Sequence, residues 1–249
     1  MSDLTTGEIL EVLQRGTVEM EGLLPWSSNY AFLVRVCDGP RELGAVYKPE
    51  RGERPLWDFA QGTLCLRERA AFLVSEGLGW HVIPPTVLRD AQHGLGSVQL
   101  FIDHDPARHY FTIEGDETVR SQLQKIALLD ILINNADRKA GHVLIEDAED
   151  PREPARLWGI DHGICFHVDP KLRTVIWEFA GTPLPDDLRR DLAAFKARFA
   201  DQGDELPREL GRLLSPAELE LLGHRLNRLI DRAKFPHPGA GRHYPWPPV

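Results

Sequence analysis

The apolar pattern of this chain changes period once, between residues 102 and 116, and few folds accommodate that change. Before it, short runs rich in β-branched and aromatic residues recur at 16–22, 30–37 (YAFLVRVC), 43–48, 82–88 and 97–102, the make-up of strands on a half-buried sheet. Asp38-Gly39-Pro40 joins the second and third as an antiparallel hairpin. Helical spacing interrupts this half at 4–15, with Thr5 or Thr6 as cap, and at 62–76 (GTLCLRERAAFLVSE), which Gly77 closes. After the change, Val119, Leu123, Ile126, Ala127 and Ile131 mark one face of a helix over 116–134. Two brief apolar runs come next at 142–145 and 157–160, then helical patterns at 185–199 and 215–234. The last opens with Ser215 and Glu218, the spacing of a capping box. Residues 235–249 are too rich in Pro and Gly for regular structure. The expectation is an α+β chain of two lobes forming one catalytic unit. An antiparallel sheet with one internal helix spans 1–101, a mainly helical part 102–235, and an irregular tail 236–249.

Size and charge narrow the function. With 249 residues and 42% hydrophobic content, the chain can fill two lobes that share a cleft. A net charge of −9 argues against sequence-independent binding to nucleic acid or to an anionic membrane, both of which reward a basic surface. Cys37, Cys65 and Cys165 are far apart and form no CxxC pair, so they read as thiols in a reducing cytosol. No apolar run reaches membrane-spanning length, and the start MSDLTTGEILEVLQRG lacks the features of a signal peptide. The expectation is a cytoplasmic protein with no nucleic-acid partner and no integral membrane contact.

Four ionisable residues stand in the order that phosphoryl transfer requires. That reaction needs charge neutralisation and positioning more than covalent help. Ala45-Val46-Tyr47-Lys48 has the shape of a strand lysine motif whose ammonium meets the phosphates of a nucleotide. A lysine ending a strand is ordinarily a solvated strand end, so Lys48 gains weight only from the acidic residues later in the chain. Glu68, on the next helix, can hold Lys48 extended by an ion pair. Ser27-Ser28-Asn29, between the first two strands, can offer backbone N–H groups to phosphate, although an ordinary polar turn reads the same way. Asp137 and Arg138 sit in INNADRKAGHVLI, between the end of a long helix and an apolar run, which is the setting of a catalytic loop. Asp161-His162-Gly163 comes after the apolar LWGI, the setting of a metal-binding Asp. Each element alone is ambiguous; their order is less easily met by chance.

At these residues the chain resembles the phosphatidylinositol 3-/4-kinase superfamily, and most of all the type II phosphatidylinositol 4-kinases, together with an actinobacterial group of uncharacterised kinase-like proteins. The similar segments are Gly44-AVYKPERGERP, Leu66-RERAAFLV, Val82-IPPT, Gly96-SVQLFI, Leu129-DILINNADRKAGHVLI and Trp158-GIDHGICF, within residues 16–180. The resemblance implies a two-lobed protein-kinase-like fold that binds ATP between its lobes, the adenine against Gln99, Leu100, Phe101 and Ile102 as hinge. It implies that Lys48 contacts the phosphates, Glu68 pairs with Lys48, Asp137 acts on the attacking hydroxyl and Asp161 holds the metal. Where the family has Asn, five residues after Asp137, this chain has His142. An imidazole there suits Mn²⁺ better than Mg²⁺, so the metal is expected to be Mg²⁺ or Mn²⁺. The cysteine-rich segment of the type II lipid kinases is absent, which with the negative charge favours a hydroxyl on a protein or small molecule as acceptor over a lipid. Two alternatives stand beside that reading. One is a phosphoinositide kinase, with Arg173, Trp177 and Phe179 facing the lipid; the other is an ATP-binding regulator with little catalysis, suggested by His142. A metallohydrolase built from Asp137, His142, Asp161 and His162 or His167 ranks below these, since no H-x-H or H-x-x-x-H spacing supports it.

Overall fold

The computed structural model describes residues 4–24, 29–150 and 152–249. Helix α1 (Thr6–Arg15) opens on a capping box between Thr5 and Glu8. Five strands make up the sheet of this lobe: β1 (Thr17–Leu23), β2 (Phe32–Asp38), β3 (Arg41–Pro49), β4 (Thr86–Ala91) and β5 (Gly94–Leu100). They form one antiparallel sheet in the order β1-β2-β3-β5-β4. Helix α2 (Leu64–Gly77) is inserted between β3 and β4. Period-two alternation in β3 sends Leu43, Ala45 and Tyr47 into a core shared with Val12 and Leu13 of α1, and leaves Val46 and Lys48 on the opposite face. Gly96 permits the close pairing of β3 and β5 beside Lys48. A Cβ there would lie 2.5 Å from the Lys48 carbonyl and 2.6 Å from the Tyr47 ring.

The rest is helical: one turn, α3 (Tyr110–Ile113), then α4 (Arg120–Ile133), α5 (Asp186–Ala200), α6 (Glu205–Leu213) and α7 (Pro216–Arg232). A small hairpin of β6 (Val143–Glu146) and β7 (Arg156–Gly159) lies between α4 and α5. Asn134, in the left-handed region at φ 54°, ends α4 and turns the chain into the loop that carries Asp137. Leu144 and Trp158 of the hairpin join the core of the sheet lobe. Conversely, Ala70, Ala71, Phe72 and Val74 of α2 join the core of the helical lobe.

The α+β, two-lobed expectation holds; β5 starts at Gly94 rather than 97 and the one-turn α3 is new, and three further details differ for identifiable reasons. Strand β4 starts at Thr86 rather than near 82, because Pro84 and Pro85 have no N–H to give to a ladder. Helix α4 starts at Arg120 rather than 116, because the Asp116 carboxylate accepts the Thr118 N–H (2.9 Å) and hydroxyl (2.7 Å) and closes a separate turn. Helix α6 is new; it is short, carries Pro207 in its first turn, and is capped by Asp204, which accepts the Leu206 N–H at 2.8 Å. Past Phe235 the tail has no helix or strand but is tied down. The Pro248 carbonyl accepts the Ala140 N–H (2.8 Å), and the His243 carbonyl accepts from Thr174 N–H (3.1 Å) and Trp177 Nε1 (3.2 Å). Among the described residues no helix is long and apolar enough to cross a membrane.

Candidate active site

Lys48 lies at the seam of the two lobes. Its Nζ is 2.6 Å from Glu68 Oε1 on α2 and 3.0 Å from Asp161 Oδ1, just past β7. The other Glu68 oxygen accepts the His162 backbone N–H at 3.0 Å, so one buried carboxylate bridges the strand lysine and the Asp161 loop. The other Asp161 oxygen stands 3.3 Å from His142 Nε2. Sheet, helix and both loops thus meet in one charged cluster. The two carboxylates hold Lys48 protonated, its pKa raised against the opposing effect of burial. Lys48 in turn holds Asp161 well below the usual carboxylate range. Asp161 has φ 62°, a left-handed conformation that Asp tolerates better than most residues.

The loop after α4 is built around Arg138. Its side chain is fully buried and donates from Nε to Asp130 Oδ2 (2.9 Å), from Nη2 to Asp130 Oδ1 (2.9 Å), and from Nη1 to the carbonyls of Ile160 (2.7 Å) and His142 (3.0 Å). Nη2 also lies 2.6 Å from His162 Nε2. Arg138 therefore lines neither cleft cavity and ties together the backbones that carry His142 and Asp161. Asp137, its neighbour in sequence, faces the cleft instead. Its N–H donates to Asn135 Oδ1 (3.0 Å), and its Oδ2 is 3.6 Å from Lys139 Nζ. Burial raises the Asp137 pKa, with Asp161 adding to the effect, although Lys139 pulls it down. A carboxylate so placed takes up a proton more readily than an ordinary surface Asp.

Two cavities meet at Lys48 and Asp161. The first is lined by Val46, Gln99, Leu100, Phe101, Ile102, Leu144 and Ile160 and reaches His142. Its apolar walls and strand edge suit a flat heteroaromatic ring. All four hinge residues expected from sequence line it, with the Gln99 amide donating to Thr86 Oγ1 at 2.8 Å. The second holds Asp137, Glu68, Asn29, Tyr30, Arg54 and Leu56. Asn29 accepts the Arg54 N–H there (2.9 Å), while Ser27 and Ser28 lie outside the described residues. Arg173 approaches Asp137 closely enough to lower its pKa, whereas Phe179 is buried in the helical core.

What spacing alone misses is the support behind these groups: Asp130, Asn135 and His162, and the ion pair of Arg67 with Glu218 (2.6 Å). One signal was available, since Asp130 is an acid on the apolar face of a helix, a place that charged residues occupy only when paired.

Burial makes both histidines of the cluster hard to protonate. His142 falls to about 4 and His162 falls well below the ordinary value. The unfolded chain therefore binds more protons than the folded one as pH drops below the unperturbed value of about 6.5. Stability from these groups is complete above about pH 6.5 and is lost as pH falls toward 4. The raised carboxyls of Asp137 and Glu178 oppose the trend only in part. Thermal melts should show the midpoint declining from pH 7 to pH 5; a flat profile would contradict the neutral buried imidazoles.

Comparison with known proteins agrees with this geometry. Residues 89–204 match the family described as phosphatidylinositol 3- and 4-kinase. Over 95% of its length the chain is 36% identical to Protein Rv2133c of Mycobacterium tuberculosis, 94% of which is covered. Over 42% of its length it is 33% identical to phosphatidylinositol 4-kinase gamma 4 of Oryza sativa subsp. japonica, of which it spans only 20%. The chain belongs to the phosphatidylinositol 3-/4-kinase superfamily. Like other members of the superfamily it is a phosphotransferase. Its kinase fold is shared with hydra Fam20 solved with sugar (TM-score 0.61, 15% identity, covering 93% of this chain and 90% of that one). It is also shared with the Golgi casein kinase with Mn/ADP bound (TM-score 0.57, 16% identity, covering 94% and 76%). At such identity these likenesses concern the fold alone.

Proposed function

We propose that the chain transfers the γ-phosphate of ATP to a hydroxyl group of a protein or small molecule in the cytoplasm. The observation that carries this reading is the Lys48–Glu68–Asp161 cluster, placed where the two cavities meet and facing Asp137. Adenine would fill the apolar cavity against Gln99–Ile102, which brings the phosphates to Lys48. The acceptor would enter the second cavity, where Asp137 orients its hydroxyl and takes the proton. Arg138 holds the loop without touching substrate.

A divalent ion fits the donor set. Among the described residues no three acidic, His or Cys side chains form a cage, so one or two protein ligands would hold such an ion together with the phosphates. An ionised carboxylate and a neutral imidazole 3.3 Å apart match the spacing of about 3 Å between adjacent ligands of an octahedral ion with bonds of about 2.1 Å. His142 Nδ1 accepts the Lys139 N–H at 3.4 Å, so ligation through Nε2 would move the ring proton to Nδ1 at the loss of one weak contact. Asp161 and His142 would hold Mg²⁺ or Mn²⁺, which would neutralise charge on the phosphates. The imidazole favours Mn²⁺.

Incubation with labelled ATP and either ion should give autophosphorylation or ATP turnover. Lys48→Met should reduce it about 10²-fold or more, since the charge meeting the phosphates is gone. Unchanged turnover in that variant would defeat the proposal.

A further inference from the structure

Helix α2 belongs to the sheet lobe by sequence and packs against both lobes, with Arg69 Nη1 donating to the Thr86 carbonyl of β4 and Ala70, Ala71, Phe72 and Val74 in the helical core. Three anchors fix it to the helical lobe. At its start, Arg67 is almost wholly buried; Nη1 donates to the Cys165 carbonyl (2.7 Å) and Nη2 meets Glu218 Oε1 of α7 (2.6 Å). The guanidinium also lies 4.9 Å over the Phe59 ring. Glu218 is itself locked, because its other oxygen accepts the Ser215 N–H and hydroxyl, each at 2.8 Å. At the end of α2, Gly77 packs so closely that a Cβ would sit 2.8 Å from Phe195 and 2.9 Å from Leu206. Just beyond, Trp80 Nε1 donates to Asp191 Oδ2 of α5 (2.8 Å).

We propose that Arg67 is a positioning residue that clamps α2 to the helical lobe and so holds Glu68 against Lys48 before any nucleotide arrives. This rests on the kinase reading for its consequence in turnover. Glu68 is the next residue along the same helix and reaches the His162 N–H and Lys48 Nζ from there. A guanidinium serves a carbonyl and a carboxylate from two separate nitrogens held in one rigid plane, whereas an ammonium must draw both acceptors to a single nitrogen. With α2 fixed to the helical lobe, the lobes open by moving the sheet relative to α2, and the Lys48–Glu68 pair and the Arg69 bond to the Thr86 carbonyl are contacts that make and break. The site then needs no separate activating event to bring its glutamate inward.

The test uses the full chain, with Arg67→Met and Glu218→Gln as independent variants and Arg67→Lys as the conservative one. Gln keeps the capping-box spacing with Ser215. Cys65 of α2 is buried and lines the acceptor cavity, so its alkylation by iodoacetamide, mapped by mass spectrometry well below the melting midpoint, reports release of α2. Cys165, fully buried in the helical lobe, serves as internal control for global unfolding in Glu218→Gln, which keeps the Arg67 bond to the Cys165 carbonyl, and a thermal melt does so for Arg67→Met. Arg67→Met and Glu218→Gln should each label Cys65 about tenfold faster than Cys165. In both, kcat should fall about tenfold while KM for ATP moves less than about threefold. Arg67→Lys should fall between wild type and Met. Variants that melt earlier but show unchanged kcat and equal labelling of the two thiols would overturn the clamp. If the wild-type chain turned over no ATP, the kinase reading would fail and the labelling ratio alone would still decide the clamp.

Discussion

Asp161→Asn should lower phosphotransfer by about 10³-fold or more and leave the melting temperature nearly in place. The carboxylate faces the strand lysine and the loop imidazole together, through Lys48 Nζ at 3.0 Å and His142 Nε2 at 3.3 Å. Its negative charge is held by Lys48 against burial, and the proposed ion on the phosphates would need that charge. Asn is the informative replacement because the residue sits at φ 62°. Asn adopts the left-handed region readily, whereas Ala would add about 1–2 kcal/mol of backbone strain and confuse fold with chemistry. Lys48 keeps Glu68 at 2.6 Å in the variant, so the cluster is not left as an unpaired ammonium. The measurement is single-turnover transfer from labelled ATP at saturating Mg²⁺ or Mn²⁺, paired with a thermal melt. A rate within about tenfold of wild type would remove Asp161 from the chemistry.

That such a variant can be chosen shows where sequence is informative. Lys48, Glu68, Asp137 and Asp161 are legible because each sits on an element whose period or boundary is itself legible: a strand, the next helix, the end of a long helix and the end of an apolar run. Order along the chain supplies what no single motif does. The direction of a side chain within a loop is not legible in the same way. Asp137 and Arg138 are neighbours, yet one faces the cleft and the other is buried against Asp130, because the loop turns between them. The lobe assignment of α2 is hidden for a different reason. Its sequence carries buried residues on more than one face, so the pattern indicates a helix packed from two sides without saying which lobe it joins. Helix α6 escapes because a short helix with Pro207 near its start gives too few turns for a period to register.

The largest loss of stability from a single change should come from Arg138→Met. Arg138 and Asp130 both have 0% side-chain exposure, and the pair is a fork, with two nitrogens on two oxygens. Removing the guanidinium leaves the Asp130 carboxylate buried with only the Asn135 amide (2.9 Å), and strips the Ile160 carbonyl of its 2.7 Å donor. Breaking one side of a buried pair costs about 3–5 kcal/mol, because the remaining charge has nowhere to go. At about 2–4 °C per kcal/mol for a chain of this size, the midpoint should fall by roughly 10 °C. Arg138→Lys should recover little, since one ammonium cannot serve a carboxylate and two carbonyls in different directions. The decisive comparison is the double variant Arg138→Met with Asp130→Leu. If the cost is that of an orphaned carboxylate, removing the carboxylate as well should restore part of the midpoint, although the Asn135 amide then loses a partner worth about 1 kcal/mol. Turnover should not recover with it. The His142 and Ile160 carbonyls would still lack the donor that fixes them, and those two backbones carry His142 and Asp161, which the proposal places at the phosphates. Separation of the two readouts, stability regained and turnover still low, is the result expected if Arg138 serves the reaction by holding the loops. Recovery of both together would reduce it to packing.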